Sequence, residues 1–199
     1  MLIKEIEDYV KSVLSTERFI HTKRVVSDTV VLCRMHKQDE KKGEYAGLLH
    51  DLARELPGGE IIRIVQEDQA YQIREWEREF PILLHGKAAA ILSEKLFSIN
   101  DKEILEAIEL HTLGRPSMTE LSKILFVADY IEEGRDHITK AYRDKLMSLP
   151  LDNKVYKVLV DLVDYMKNRG MFMAPPTWEL YEQLKIKTGE YMENNLYGA

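Results

Sequence analysis

The sequence has little of the chemistry that stabilises chains lacking a large core. Its single cysteine, Cys33, permits no internal disulfide and excludes a zinc site built on several thiolates. Ten glycines and six prolines in 199 residues are too few for a loop-rich or collagen-like chain. The apolar fraction of 45% is instead enough for a buried core. We therefore expect a compact globular chain in which Cys33 is a buried free thiol.

Long apolar runs and excess positive charge are also missing. No window approaches the roughly 18 consecutive apolar residues that a membrane-spanning helix needs. Residues 1–7 mix apolar and charged side chains and lack the basic start and apolar block of an export signal. The formal net charge of −6 gives no broad basic surface for nucleic acid. We expect a cytoplasmic protein with neither a membrane nor a nucleic acid as partner.

Apolar residues recur every three or four positions, which is typical of amphipathic helices, and the alternating pattern of strands is nearly absent. Cap-and-Glu pairs predict helix starts at Asn100 and Ser117, and Gly170 is a plausible helix end. The sequence thus predicts an all-α chain of one domain. The predicted helical segments are residues 3–14, 18–36, 44–55, 60–68, 74–79 and 155–166, with a last helix from about residue 177.

Histidines and aspartates stand where the surrounding sequence is apolar. His50 and Asp51 follow a small and apolar segment, Asp129 ends an apolar helix, and His21 follows Phe19 and Ile20. A buried carboxylate is costly unless it is paired or bound to a cation. For the His50-Asp51 pair alone, a hydrogen bond at a helix end is the commoner explanation. Taken with His21 and Asp129, the pair favours a metal site whose nitrogen and oxygen donors suit iron, manganese or zinc.

The order His, His-Asp, Asp resembles the HD superfamily of phosphohydrolases. Longer stretches of the chain, spread over about residues 15–180, resemble its branch of symmetrical bis(5'-nucleosyl)-tetraphosphatases, the YqeK type. These stretches are Arg18-Phe-Ile-His-Thr-Lys-Arg-Val, Leu48-Leu-His-Asp-Leu-Ala-Arg, Leu84-His-Gly, His111-Thr-Leu-Gly-Arg and Phe126-Val-Ala-Asp-Tyr-Ile-Glu-Glu-Gly-Arg.

The resemblance implies an HD-domain helical bundle of roughly nine to eleven helices over residues 1–199. Its core would span about residues 15–135, and helices in 136–199 would complete the core and the nucleotide pocket. The implied metal ligands are His21, His50, Asp51 and Asp129, holding one or two ions, with iron expected first and manganese or zinc as alternatives. Asp51, His85 and His111 are the implied catalytic residues.

Basic and small residues beside these motifs suggest where a phosphate chain binds. Arg24, Arg54 and Arg135 each follow a metal motif by three or six residues, and a guanidinium fork suits phosphate oxygens. For each arginine alone, a surface ion pair is the commoner explanation. His85 and His111 have a similar alternative as hydrogen-bonded core histidines, whereas His36 and His137 are predicted to be exposed. The complete set of predicted nucleotide contacts is Arg24, Arg54, His85, His111, Thr112, Arg135, Pro175, Pro176 and Thr177.

The function that the resemblance implies is cleavage of diadenosine tetraphosphate into two ADP by attack of metal-activated water. Three alternatives stay open at this point. The enzyme could act on another nucleotide, the chain could be a nucleotide-sensing module with little turnover, or the ligand set could serve a di-iron redox enzyme. The implied partner is a small dinucleoside polyphosphate, and a homodimer is compatible with the apolar helix faces.

Overall fold

The computed structural model describes residues 3–196 and, within them, the side chains of residues 3–188. This part of the chain contains eleven α-helices, one short 3-10 helix (Pro81–Leu84) and no strand, so the predicted all-α class is confirmed. The ends of the predicted domain, residues 1–2 and 197–199, lie outside the described residues. The helices are α1 (Ile3–Val13), α2 (Thr16–Met35), α3 (Glu40–Leu49), α4 (Gly58–Val65), α5 (Glu75–Glu79), α6 (His85–Phe97), α7 (Lys102–Leu110), α8 (Glu120–Ile131), α9 (Lys140–Met147), α10 (Leu151–Asn168) and α11 (Pro175–Leu196).

Side-chain caps fix several helix starts within a few residues of the predicted ones. The Asp101 carboxylate, rather than Asn100, accepts the free amides at the start of α7. The Thr119 hydroxyl caps α8, whereas Ser117, the predicted cap, has a left-handed φ of 62°. The start of α3 at Glu40 is four residues earlier than predicted, because the Asp39 carboxylate accepts the amides of the first turn. Sequence patterns therefore located these helices correctly and misplaced their ends.

Two glycines let helices approach closely where the histidines lie. A Cβ at Gly47 of α3 would come 3.0 Å from the backbone Cα of Val26 in α2. A Cβ at Gly86 of α6 would come 2.7 Å from the carbonyl oxygen of Glu109 in α7. A Cβ at Gly86 would overlap main-chain atoms and one at Gly47 would press against a main-chain atom, so glycine suits both contacts. The close approaches bring α3 against α2 and α6 against α7.

The core lies between α2, α3, α7 and α8, and α10 closes it on one side by packing on α8 and α11. Fully buried apolar side chains from four helices, such as Val25, Leu49, Ile108 and Leu125, fill it. Cys33 is buried within α2 as a free thiol, as predicted. His36 is partly buried, contrary to the prediction that it is exposed, because it ends α2 against the body of the bundle. Among the described helices, none is long and apolar enough to cross a membrane.

Candidate metal centre

Four histidines and two aspartates converge at one end of the bundle. Five of the six are buried, with exposures from 0% for His50 to 8% for His21, and the side chain of Asp129 is 22% exposed. The Nε2 atoms of His21 and His50 are 3.4 Å apart, and those of His85 and His111 are 3.0 Å apart. The six residues come from the interior of α2 (His21), the end of α3 (His50, Asp51), the start of α6 (His85), the end of α7 (His111) and the last turns of α8 (Asp129).

Three of the imidazoles are oriented by the main chain of their own segment. Nδ1 of His50, His85 and His111 lies 2.7, 2.6 and 2.8 Å from the carbonyl oxygen three residues earlier. The carbonyls of Gly47 and Ile108 belong to the last turns of α3 and α7, where the final oxygens lack the usual amide partner, whereas the Ile82 carbonyl also accepts the backbone N–H of His85. Because a carbonyl oxygen can only accept, Nδ1 carries the proton and Nε2 presents its lone pair. All three Nε2 lone pairs therefore point into the centre.

His21 is oriented differently, because it lies inside a helix. The carbonyl three residues earlier, that of Arg18, accepts a hydrogen bond from the Thr22 hydroxyl. Nδ1 of His21 instead lies 3.3 Å from Oε1 of Glu132, whose side chain is 4% exposed. The other oxygen of Glu132 accepts the backbone N–H of Gly134 at 2.7 Å. A carboxylate behind a ligand histidine fixes its tautomer and raises its basicity.

Glu132 is a residue that the sequence reasoning missed. It stands three positions after Asp129, so both carboxylates lie near the end of α8 on the side that meets α2. This spacing was an available signal, although a pair of adjacent glutamates at a helix end is usually solvent-facing. Glu133, its neighbour, is indeed exposed.

The carboxylate of Asp51 joins the two histidine pairs. Its Oδ2 lies 3.5 Å from Nε2 of His21 and 3.3 Å from Nε2 of His50. Its Oδ1 lies 3.2 Å from Nε2 of His85 and 3.7 Å from Nε2 of His111. Asp51 thus belongs to two potential ligand triads, the first with His21 and His50 and the second with His85 and His111. Asp129 adjoins the first triad, because its Oδ1 lies 3.1 Å from Nε2 of His21.

The donor chemistry of this cluster fits a cation. With Nδ1 protonated on all four rings, the converging Nε2 atoms and carboxylate oxygens are all acceptors, and acceptors at 3.0 Å repel unless a positive charge lies between them. The Thr112 hydroxyl, 3.2 and 3.1 Å from Nε2 of His85 and His111, has only one proton to give. Imidazole nitrogens and carboxylates are ligands for iron, manganese and zinc. The residues present would hold one ion at each triad.

Electrostatics keep the acidic ligands charged. Burial alone would raise the pKa of Asp51, but the surrounding imidazoles of His50, His111 and His85 hold it well below its usual range. Burial also acts against ionisation of Asp129, whose pKa is nevertheless lowered by the neighbouring side chains of His21, His50 and Arg135. Burial lowers the pKa of His85 and favours its neutral form. Ionised carboxylates and a neutral imidazole are the forms that bind metal.

A cavity of about 530 Å³ opens on this centre and contains several of the predicted substrate contacts. Arg54, Arg135 and Thr112 line it, together with His85 and His111. Arg18, which the sequence reasoning did not single out, also lines it and donates to Oδ2 of Asp51 at 3.0 Å. Arg135 donates to Oδ1 of Asp129 at 2.6 Å. The guanidinium of Arg54 makes no ion pair with any residue of the described part.

Other predicted contacts lie elsewhere. Arg24 stands behind the centre, 3.7 Å from Glu132. Pro175 and Pro176 start α11 and do not line the cavity, and the Thr177 hydroxyl donates to the carbonyl of Leu113. Proline is favoured in the first turn of a helix, which accounts for this pair without a ligand. The far wall of the cavity comes instead from α8, α10 and the segment after α8, namely Phe126, Tyr130, His137, Val158, Asp161, Leu162 and Tyr165.

His137 was predicted to be an exposed residue without a role. It is exposed, yet it packs edge-on against Tyr130 with ring centroids 5.3 Å apart and lines the cavity. The sequence around it is charged and gave no sign of this contact. The cavity therefore combines arginine side chains with an aromatic wall.

Comparison with known proteins places the chain in a family. The HD domain model matches residues 18–134, which is more than half of the chain. The chain belongs to the HD-domain family, as the ordered His, His-Asp, Asp pattern predicted.

Curated relatives narrow this placement. Two proteins named "Bis(5'-nucleosyl)-tetraphosphatase, symmetrical" are similar to the chain. The one from Staphylococcus aureus is 35% identical over 68% of this chain and 69% of its own length. The one from Bacillus subtilis is 31% identical over 88% of this chain and 93% of its own length. Within the HD-domain family, the chain belongs with the symmetrical bis(5'-nucleosyl)-tetraphosphatases.

A solved structure supports the same placement. The "predicted HD superfamily hydrolase involved in NAD metabolism from Clostridium acetobutylicum" superimposes with a TM-score of 0.86 at 33% identity. The superimposed region covers 94% of this chain and 98% of the solved one. The predicted class, a metal-dependent phosphohydrolase of the HD type, is confirmed by these findings together.

Proposed function

We propose that the protein hydrolyses dinucleoside tetraphosphates at the centre of the phosphate chain, yielding two nucleoside diphosphates. The observation that carries the reaction class is the set of four Nε2 lone pairs gathered around the shared carboxylate of Asp51. The names of the relatives support the substrate class. Diadenosine tetraphosphate, giving two ADP, is the substrate that we propose.

The residues of this chain have distinct tasks in that reaction. His21, His50, Asp51 and Asp129 would hold the first ion, and Asp51, His85 and His111 the second. A bound ion would supply a Lewis acid for the phosphoryl oxygen and lower the pKa of a coordinated water to about 7. We infer that iron is the resident metal, with manganese or zinc as alternatives that the same donors accept.

The arginines at the rim bind and orient the phosphates. Arg54 has no acidic partner among the described residues and lines the cavity, so its fork of donors is available to a phosphate. Arg18 and Arg135 each give part of their hydrogen-bonding capacity to Asp51 and Asp129, which aligns the remaining N–H groups beside the ligands. Three guanidinium groups offset the charge of a tetraphosphate and fix which phosphorus faces the centre.

The aromatic wall holds one nucleoside. Tyr130, Tyr165 and the ring of His137 line the cavity and offer surfaces on which a purine base can stack. The wall comes from α8, α10 and the segment after α8, so the C-terminal helices complete the nucleotide pocket in this proposal. A homodimer and a cytoplasmic location stay predictions of the sequence.

Product analysis tests the proposal. Purified protein, loaded with iron under anaerobic conditions or with manganese, is incubated with diadenosine tetraphosphate in water enriched in oxygen-18. We expect ADP as the only nucleotide product, with the label on one ADP of each pair. AMP with ATP in equal amounts would refute cleavage at the centre. Asp51→Asn should be inactive, whereas Asp164→Asn, an exposed aspartate of α10, should match the wild type.

A further inference from the structure

A dinucleoside tetraphosphate cut at its centre has two identical halves. When the central phosphorus faces the metal ligands, one nucleoside diphosphate extends to each side of them. A cavity on one side accounts for only one half. The inference below rests on the proposed function and concerns where the other half binds.

A second recess of about 490 Å³ lies beside the first cavity. The two linings have only Arg18 and Arg135 in common. These are the two arginines that donate to Asp51 and Asp129. The first cavity touches Asp51 and Asp129, and the second touches His21 from its own side. The metal ligands therefore lie where the two spaces meet, as cleavage at the centre of a symmetrical chain requires.

The two spaces differ in chemistry. Tyrosine and phenylalanine rings line the first cavity, whereas His21 is the only aromatic side chain in the lining of the second. The second recess is bordered by polar groups of the α1–α2 and α3–α4 connections. Ser15 donates its N–H and its hydroxyl to the Glu55 carboxylate at 2.7 and 2.6 Å. Arg24 also faces this recess, with only the longer contacts of 3.7 and 3.9 Å to Glu132 and Glu133.

We propose that this second recess binds the other nucleoside diphosphate half of the substrate. Arg24 and Arg18 face its phosphates, and the acceptors of Glu55 and Glu17 face the ribose hydroxyls. Without a stacking surface, the recess recognises ribose and phosphate and tolerates either purine or pyrimidine. The base is thus read on one side of the centre only, although the reaction is symmetrical.

Ile20 allows a direct test, because its side chain is 46% exposed on α2 and borders the recess. Met35, at the other end of the same helix and 49% exposed, provides the matched control. Diadenosine tetraphosphate and adenosine 5'-tetraphosphate, which lacks the second nucleoside, are compared by kcat/KM. In the wild type we expect the second nucleoside to improve kcat/KM about tenfold.

Ile20→Glu should reduce the ratio of kcat/KM between diadenosine tetraphosphate and adenosine 5'-tetraphosphate to near one. Met35→Glu should leave this ratio unchanged. Metal affinity and helical content should equal those of the wild type in both variants. If the wild type cleaves both substrates equally well, or if Ile20→Glu leaves the factor intact, the second recess is not the site. If the wild type cleaves neither substrate, the proposed function itself fails.

Discussion

The four imidazoles of the centre face a common point but are held in two ways. His50, His85 and His111 lie at helix ends and are fixed by carbonyl oxygens of their own segments at 2.6 to 2.8 Å. His21 lies inside α2 and is fixed by the carboxylate of Glu132, which belongs to α8. The first arrangement follows from local chain geometry. The second depends on packing between two distant parts of the sequence.

The difference has an electrostatic consequence. A carbonyl oxygen is neutral, whereas the carboxylate of Glu132 brings a charge to a side chain that is 4% exposed. A charged acceptor makes its histidine a stronger ligand than a neutral acceptor does. Substitution of a side chain can remove this support from His21, but none can remove a main-chain carbonyl. We therefore expect that a substitution far away in the sequence can change how strongly His21 binds metal, but not how strongly the other three histidines do.

We expect the largest loss of metal affinity on substitution of Asp51, because its carboxylate contacts His21 as well as the three histidines at helix ends. Asp51→Asn keeps the size of the side chain but removes the charge shared by both triads. Metal affinity should fall at both positions by more than the roughly 100-fold that outer-shell changes reach, and turnover should be lost. Metal analysis after dialysis, with circular dichroism to confirm folding, measures this. Full metal content would show that the two histidine pairs do not share this carboxylate.

The second effect isolates His21. Glu132→Gln keeps an acceptor for Nδ1 but removes the charge, so we expect metal affinity to fall by about 10- to 100-fold. Competition with a chromogenic chelator gives the affinity. Glu133→Gln is the matched control, because its side chain is 77% exposed and makes no contact with His21.

A double substitution tests whether the effect passes through His21. In a His21→Ala background, Glu132→Gln should cause little further loss, because coupled residues are not additive. An additional loss as large as in the wild type would contradict the positioning role. It would mean that Glu132 acts through Arg24 or Arg135, which it also approaches at 3.7 Å.

The rim arginines give a smaller effect that separates metal binding from substrate binding. Arg54→Ala should raise KM for the nucleotide about tenfold and leave metal affinity unchanged, since Arg54 pairs with no described ligand. Arg135→Ala should raise KM and also weaken metal binding, because Arg135 donates to Asp129. Steady-state kinetics beside chelator competition distinguish the two. If Arg54→Ala and Arg135→Ala changed metal affinity equally, the two arginines would not differ in their contribution to metal binding.

The centre shows which parts of the site sequence can predict. His50-Asp51 and Asp129 are visible because polar residues interrupt apolar helices, a pattern that is local. The ring orientation of His50, His85 and His111 is also local, since it needs only a helix end. Glu132 and Arg18 act across helices, and their contacts exist only once α2, α3 and α8 have packed. The aromatic side of the cavity on α10 was missed for the same reason, and the sequence reasoning named two prolines that start α11 as candidate base contacts instead.

The smallest effect concerns the closest pair of imidazoles. The Thr112 hydroxyl lies within 3.2 Å of Nε2 of both His85 and His111, so it donates to one of them while no ion is bound. Thr112→Val keeps the shape and removes this donor, which is worth about 1 kcal/mol. Because the hydroxyl donates to the pair His85 and His111 and so competes with a cation, its loss should leave metal affinity equal or slightly higher. If the hydroxyl also binds phosphate, KM should rise about fivefold. Titration with metal and a KM measurement on one preparation check both parts. Metal affinity falling as far as in Glu132→Gln would show that Thr112 supports the ligands, so that the main-chain carbonyls alone do not fix His85 and His111.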